Sequence, residues 1–289
     1  MILVTGVSGA LGGSILRGLR AHGGLETAGG SRAGDGGAGG VRLVDFDRPG
    51  TLPGAFAGVD VLVFVSAGYA EDDVVLARHG AVVRAAAEAG VRHVVYTSLA
   101  GSGDPLSIAL AHRWTEARLA EAPFEVTVLR NGLYAELLAD LALAGTAGDV
   151  LAAPLADGAM PVVARDDLAD VAVRVAAETQ ADLAAGRPRR HAGRTYELEG
   201  GTALGGADLA ALLTEALGRP FGYRPVPLAE ARAALGASGL EPYQVGHTLS
   251  LFSAAGAGLM RPRGGDLRAF LDVPRPAARV VAARLASAR

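Results

Sequence analysis

Eight residues near the start, Thr5-Gly6-Val7-Ser8-Gly9-Ala10-Leu11-Gly12, have the types and spacing of a phosphate cradle. Gly6 allows a tight turn, Gly9 lets backbone amides approach a pyrophosphate, and Gly12 lets the following helix pack close to the preceding strand. The helix opening there would turn its positive end toward the negative charge. Glycines so spaced also occur in ordinary turns, and this chain has 41 Gly. Position gives the pattern its weight: it directly follows an apolar, strand-like run that begins at Ile2.

Sites that select a ribose 2′-hydroxyl carry Asp or Glu about 20 residues beyond such a turn, whereas an Arg there suits a 2′-phosphate. Here the second strand runs into Gly29-Gly30-Ser31-Arg32. Arg32 supplies a fork and Ser31 a hydroxyl for a phosphate, so NADPH is favoured and NADH is the lesser alternative. Arg32 has a plainer reading as a solvated loop arginine. Asp45 and Phe46, after the third strand, are placed to border an adenine. Tyr96-Thr97-Ser98 ends the fifth strand, and ligands of open α/β sheets sit beyond such ends.

The next helix carries His112 and Glu116 at i and i+4 on one face. His112 could donate a proton to a reduced oxygen or hydrogen-bond a ribose, because histidine titrates near neutrality. A lone helix histidine is otherwise a capped or solvated residue. Leu129-Arg130-Asn131-Gly132-Leu133-Tyr134 closes the sixth strand and brings an amide and a phenol to the same rim; Asn-Gly is also a common turn pair.

The composition removes several competing chemistries. There is no Cys, which excludes disulfides, thiolate metal sites and Cys nucleophiles. All 27 basic residues are Arg, which excludes Schiff bases, the P-loop lysine and a Tyr-x-x-x-Lys dyad; Ala100 stands four residues after Tyr96. A formal net charge of -3 gives no general cationic field for nucleic acid or anionic membranes. No stretch reaches the ~18 apolar residues of a membrane span. Strand-like residues begin at once, with no basic and apolar leader before them, so a cytoplasmic protein is expected.

The elements that must position these residues are legible in the apolar periodicity. Strand-like runs cover Ile2 to Thr5, Leu25 to Ala28 weakly, Val41 to Val44, Val59 to Ser66, Val91 to Ser98 and Phe124 to Arg130. Helical stretches cover Leu11 to Ala21, Asp72 to Ala89 and Ser107 to Glu121. This alternation predicts an α/β fold with a doubly wound parallel Rossmann sheet over residues 1–133. Residues 134–289 read as a smaller C-terminal α+β substrate lobe. Its strands are Pro161 to Ala164, Thr195 to Leu198 and Gly222 to Val226, and its helices Asp166 to Ala177, Gly206 to Leu217 and Leu228 to Leu235. A segment near 160–180 has the spacing Leu168, Val171, Val175 and could pack back on the first sheet. Gly34 to Gly40 reads as a flexible loop.

Together these segments resemble the NmrA-like atypical short-chain dehydrogenases, and within them the bacterial NAD(P)H:quinone oxidoreductases of the second type. The matching residues are Thr5 to Gly12, Arg32, Asp45-Phe46, Tyr96 to Leu99, His112 with Thr115-Glu116, Leu129 to Gly132 with Tyr134, Arg165-Asp166-Asp167 and Thr195 to Leu198. The resemblance implies a Rossmann domain, a small second lobe with a cleft between them, and direct hydride transfer from NADPH to a quinone without flavin or metal. It also implies that Gly68 and Tyr69 border the nicotinamide, with Ser66 and Ala67 binding the same cofactor, that Asn131 and Tyr134 orient the substrate, and that His112 polarises the accepting oxygen. Ala33-Gly34 and Leu133 depart from the family pattern, which has Asn or Asp then Pro after the arginine and an aromatic before the tyrosine.

The expected partner is a small, quinone-like molecule, with at most a second copy of the chain as a homodimer. Two other functions fit the same fold: a non-catalytic NAD(P) redox sensor of the NmrA kind, and a tailoring reductase of aromatic polyketides. Arg187, Arg189, Arg190 and Arg194 form a basic cluster in a Pro/Gly turn, read as a solvated loop rather than a nucleic-acid contact.

Overall fold

Short β-branched runs alternate with Ala- and Leu-rich helices through the first half of the chain. A computed structural model describes residues 1–35, 40–66, 70–262 and 265–287. In chain order the first elements are β1 (Ile2–Thr5), α1 (Ala10–Ala21), β2 (Thr27–Ser31), β3 (Val41–Leu43), α2 (Leu52–Phe56), β4 (Val61–Val65) and α3 (Asp72–Glu88). There follow β5 (His93–Leu99), α4 (Ala109–Ala120), β6 (Glu125–Asn131), β7 (Leu133–Tyr134), α5 (Ala135–Ala144), β8 (Thr146–Ala147), β9 (Val150–Ala153), β10 (Ala159–Val163) and α6 (Arg165–Ala184). The last are β11 (Thr195–Leu198), β12 (Thr202–Gly205), α7 (Gly206–Leu217), β13 (Gly222–Pro225), α8 (Leu228–Ala237), α9 (Pro242–Gly256), α10 (Leu267–Phe270) and α11 (Ala277–Ala286).

Seven strands form one parallel sheet in the order β3-β2-β1-β4-β5-β6-β11, the doubly wound Rossmann arrangement the alternation predicts. Strand order reverses between β1 and β4, which pair at Ile2 with Val61 and Val4 with Val63. Two strands of this sheet differ from expectation. β2 covers Thr27–Ser31, not Leu25 to Ala28, because its glycines fit a space too narrow for side chains. A Cβ on Gly29 would stand 2.9 Å from Leu16 and 3.0 Å from Val7, and one on Gly30 would stand 2.7 Å from Val44. β11, expected in the smaller lobe, is an edge strand of the large sheet.

Two compact units divide the chain: Met1–Ser98, Leu110–Arg130 and Leu168–Tyr196 in one, Leu99–Ala109, Asn131–Asp167 and Glu197–Arg289 in the other. In the first, Leu3, Phe56, Leu62, Phe64, Val82 and Leu119 belong to a buried cluster. Most of α6 lies in this unit, and Gly18 of α1 gives Val173 its space, since a Cβ there would stand 2.7 Å from Val173 Cγ2. The second unit holds two three-stranded sheets, β12-β10-β7 and β13-β9-β8, around a core that includes Leu138, Leu151, Met160, Leu213 and Val281. The helices α5, α9 and α11 were not marked by the sequence pattern; their Ala, Gly and Ser positions blur the apolar stripe. Residues 36–39 of the glycine tract lie outside the described residues. Among the described residues, no helix is long and apolar enough to cross a membrane.

Candidate functional site

Three close approaches build the turn after β1. Gly6 has φ +65°, a left-handed backbone that favours glycine. Gly9 N donates to Gly6 O at 2.9 Å, and Gly13 N donates to Gly9 O at 2.9 Å as α1 begins. A Cβ on Gly12 would stand 2.5 Å from Gly6 O and 2.8 Å from Thr5 O, so only glycine fits. Ser8, Gly9 and Ala10 are exposed, whereas Leu11 and Gly12 are buried against the sheet. Val7 is half-buried beside Gly29. No side chain caps α1 and its first turn carries no acidic residue, so its positive end is open to an anion.

Hydroxyls lock the neighbouring strand ends. Val65 N donates to Thr5 Oγ1 at 2.9 Å, and Ser66 N donates to Thr97 Oγ1 at 3.1 Å. Ala67, expected to bind the cofactor, and Gly68 and Tyr69, expected beside its nicotinamide, lie outside the described residues.

A cavity of about 440 Å³ adjoins the turn, lined by Gly6, Ser8 and Gly9, by Gly30, Ser31 and Arg32 at the end of β2, by Val44 to Asp47 after β3, and by Arg78 of α3. The chain thus brings together the fingerprint, the arginine and the Asp45-Phe46 pair that the sequence singles out. Asp45 is buried and heavily used: it accepts from Arg48 Nε at 2.7 Å and from Asp47 N at 3.1 Å. The Arg48 bond outweighs burial and holds this carboxyl below its usual range, with a smaller contribution from Arg32. Arg78 was not singled out from sequence. Its partner Asp47 is 31 residues away, and no local pattern marks such a pair.

On β5 the side chains turn inward. Tyr96 is fully buried against Phe64, and its hydroxyl meets His112 Nδ1 at 3.0 Å. Burial pushes the Tyr96 phenol well above its ordinary range. Burial, and then the Arg113 charge, pushes His112 down to about 4 against a weaker opposing pull from Glu116. His112 is therefore a neutral imidazole at pH 7, which corrects the expectation of a histidine titrating near neutrality. The i,i+4 pair does not act together either. Glu116 accepts from Arg130 Nη2 at 2.6 Å, Arg113 Nη1 at 2.8 Å and Ser98 Oγ, a clamp that joins α4 to β5 and β6. The Ser98 hydroxyl is thereby engaged within the protein.

In the second unit, Asn131 is buried and its Oδ1 has no hydrogen-bond partner among the described residues. Its backbone O accepts from Ala100 N at 2.9 Å. Burial pushes the nearby Tyr134 phenol upward. Asn131-Gly132 is not a left-handed turn. The chain runs on from β6 to β7, and Gly132 is needed because a Cβ would stand 3.2 Å from Leu198 O. The basic cluster is not a free solvated loop: Arg187 and Arg190 bond buried Asp182, and Arg189 pairs with Glu125.

No protein-family model matches the chain. It is 34% identical to quinone oxidoreductase 2 of Escherichia coli over 201 residues, 69% of this chain and 66% of the relative. To the NAD(P)H azoreductase of Xenophilus azovorans it is 30% identical over 249 residues, 83% of this chain and 82% of the relative. The crystal structure of the Citrobacter sp. triphenylmethane reductase complexed with NADP(H) superposes with a TM-score of 0.84 at 26% identity, covering 98% of this chain and 99% of that one. With a three-glycine turn opening α1, an arginine at the end of β2 and these relatives, the chain belongs to the NmrA-like oxidoreductase family that includes quinone oxidoreductase 2 and the NAD(P)H azoreductase.

Proposed function

We propose that the chain binds NADPH at the turn after β1 and reduces a quinone or a quinone-like conjugated ring. The observation that carries this is one cavity joining the open end of α1 to Ser31 and Arg32, with no carboxylate at the end of β2. The donor set fits the group: helix amides for a pyrophosphate, a guanidinium and a hydroxyl for a 2′-phosphate. The substitution-proof Gly12 is what close packing of α1 on β1 in such a turn requires.

When bound, the dinucleotide supplies a hydride, that is, two electrons and one proton. The named relatives reduce quinones, azo compounds and triphenylmethanes, and acceptors of these kinds spread the incoming charge over a conjugated system. Such a reaction asks the protein for positioning and water exclusion more than for a strong acid. A neutral His112 suits that role: held by Tyr96, it offers an N–H hydrogen bond to a developing oxyanion without losing its proton, and solvent completes the protonation. Asn131 and Tyr134 are assigned to orienting the acceptor. The Asn131 Oδ1, without a hydrogen-bond partner among the described residues, is consistent with a polar group kept for a ligand.

Absorbance at 340 nm tests this directly. NADPH should be oxidised only when a benzoquinone or naphthoquinone is present. Tight NADPH binding without turnover across the quinone panel would reject the reductase reading in favour of a redox sensor.

A further inference from the structure

One wall of the cavity is a planar cation held in a fixed orientation. Arg78 reaches it from the second turn of α3 and is only 20% exposed. Its Nε donates to Asp47 Oδ1 at 2.7 Å and its Nη2 to Asp47 Oδ2 at 2.9 Å, a two-bond fork. Asp47 is itself held, because its backbone N donates to Asp45 Oδ1, and Asp45 is fixed by Arg48 and by Thr51 Oγ1. An ion pair whose carboxylate is half exposed contributes only ~0–1 kcal/mol to folding, so stability gives little reason for such a built arrangement. Its consequence lies in the cavity: the guanidinium plane cannot rotate freely, and Asp47 occupies its edge.

The rest of the lining divides by chemistry. The open end of α1 and Arg32 take the anionic groups. What remains is Val44, which packs close over Gly30, and Phe46, fixed edge-on to Phe64 at 5.8 Å. Apolar surface in the same cavity as a pinned planar cation suits a flat, electron-rich ring with polar edges.

We propose that the Arg78–Asp47 pair is the surface on which the adenine ring stacks, making Arg78 a specificity residue for the adenosine half of the dinucleotide. This rests on the dinucleotide reading above.

The test is calorimetric titration of the full chain and its Arg78→Leu and Arg78→Lys variants with NADPH, NADH and 2′,5′-ADP. Arg78→Leu should weaken all three by a similar factor of at least about threefold, within the range of a desolvated cation–π contact. Arg78→Lys should not restore binding, because an ammonium has no planar face. A change below threefold overturns the assignment, as does a loss confined to the 2′-phosphorylated ligands, or full rescue by lysine, which would mean a charge contact with phosphate. Should Arg78→Leu fail to fold, Asp47→Asn, which breaks the fork, is judged by the same criterion. If the unaltered chain binds neither NADPH nor NADH, the proposed function fails and this inference with it. If it binds both and Arg78→Leu leaves them unchanged, only this inference fails.

Discussion

Gly12 has no room for a methyl group: a Cβ would meet two backbone oxygens at 2.5 and 2.8 Å, and backbone cannot step aside as a flexible side chain does. Gly12→Ala should therefore cost about 1–3 kcal/mol of stability, the usual range for overpacking, and abolish NADPH binding. Urea denaturation and calorimetry together check it; a well-folded variant that still binds would remove the turn from the site. Arg32 is tested by charge reversal. Arg32→Glu should raise the Michaelis constant for NADPH far more than for NADH, because only the former carries the 2′-phosphate. Equal effects on both would take Arg32 out of the phosphate contact. Both residues were visible in the sequence, since a backbone rule and a charge rule each act locally. The partners of His112 and Ser98 were not: Tyr96 and Glu116 reach them from 16 and 18 residues away.

Helix α6 illustrates a position decided by packing. The apolar spacing Leu168, Val171, Val175 gave it a buried face, and Gly18 of α1 makes the space that Val173 fills. Gly18→Ala should destabilise by about 1–3 kcal/mol, against a gain of up to ~1 kcal/mol in helix propensity. The double variant Gly18→Ala, Val173→Ala should recover much of the loss, because the clashing methyl is gone. Thermal melts of the four proteins give the coupling; strictly additive effects would mean that the two helices do not share this contact. Strand β2 shows the opposite failure of local rules. Leu25 to Ala28 has the better strand composition, yet Thr27–Ser31 is the strand, because register with β1 pairs Val4 with Gly29 and Thr5 with Gly30.

At the scale of the whole molecule, buried histidines couple the fold to pH. Burial pushes His79 down to about 3, with smaller contributions from His112 and Arg78, and lowers His93 against the pull of Glu125. His79 Nδ1 bonds Thr115 Oγ1 at 2.8 Å, and that hydroxyl donates to Ala111 O, so His79 must be the donor, bearing its proton on Nδ1. Unfolded, each histidine takes up a proton near 6.5, whereas His79 in the fold does not until about 3. Between those values the unfolded chain binds more protons, so stability falls as pH falls. The slope approaches ~1.4 kcal/mol per pH unit for each such histidine. The carboxylates of Asp45, Glu116 and Glu178, whose values are lowered by arginine or histidine partners despite burial, add to the loss as pH falls through their range. The thermal midpoint should thus drop clearly from pH 7.5 to 5.5, and less in a His79→Gln variant. A midpoint unchanged over that interval would show that the histidines are not desolvated.

The amino-acid sequence by itself determined the phosphate turn, the absence of lysine and thiol chemistry and the alternation that makes a doubly wound sheet. Each follows from conformational limits or side-chain chemistry that act over a few residues. Only the tertiary structure decided that β11 joins the large sheet, that His112 is neutral and held by Tyr96, that Glu116 serves a clamp, and that Arg78 enters the cavity. These depend on contacts between residues far apart in the chain and on the loss of water around them, and no window of sequence contains either.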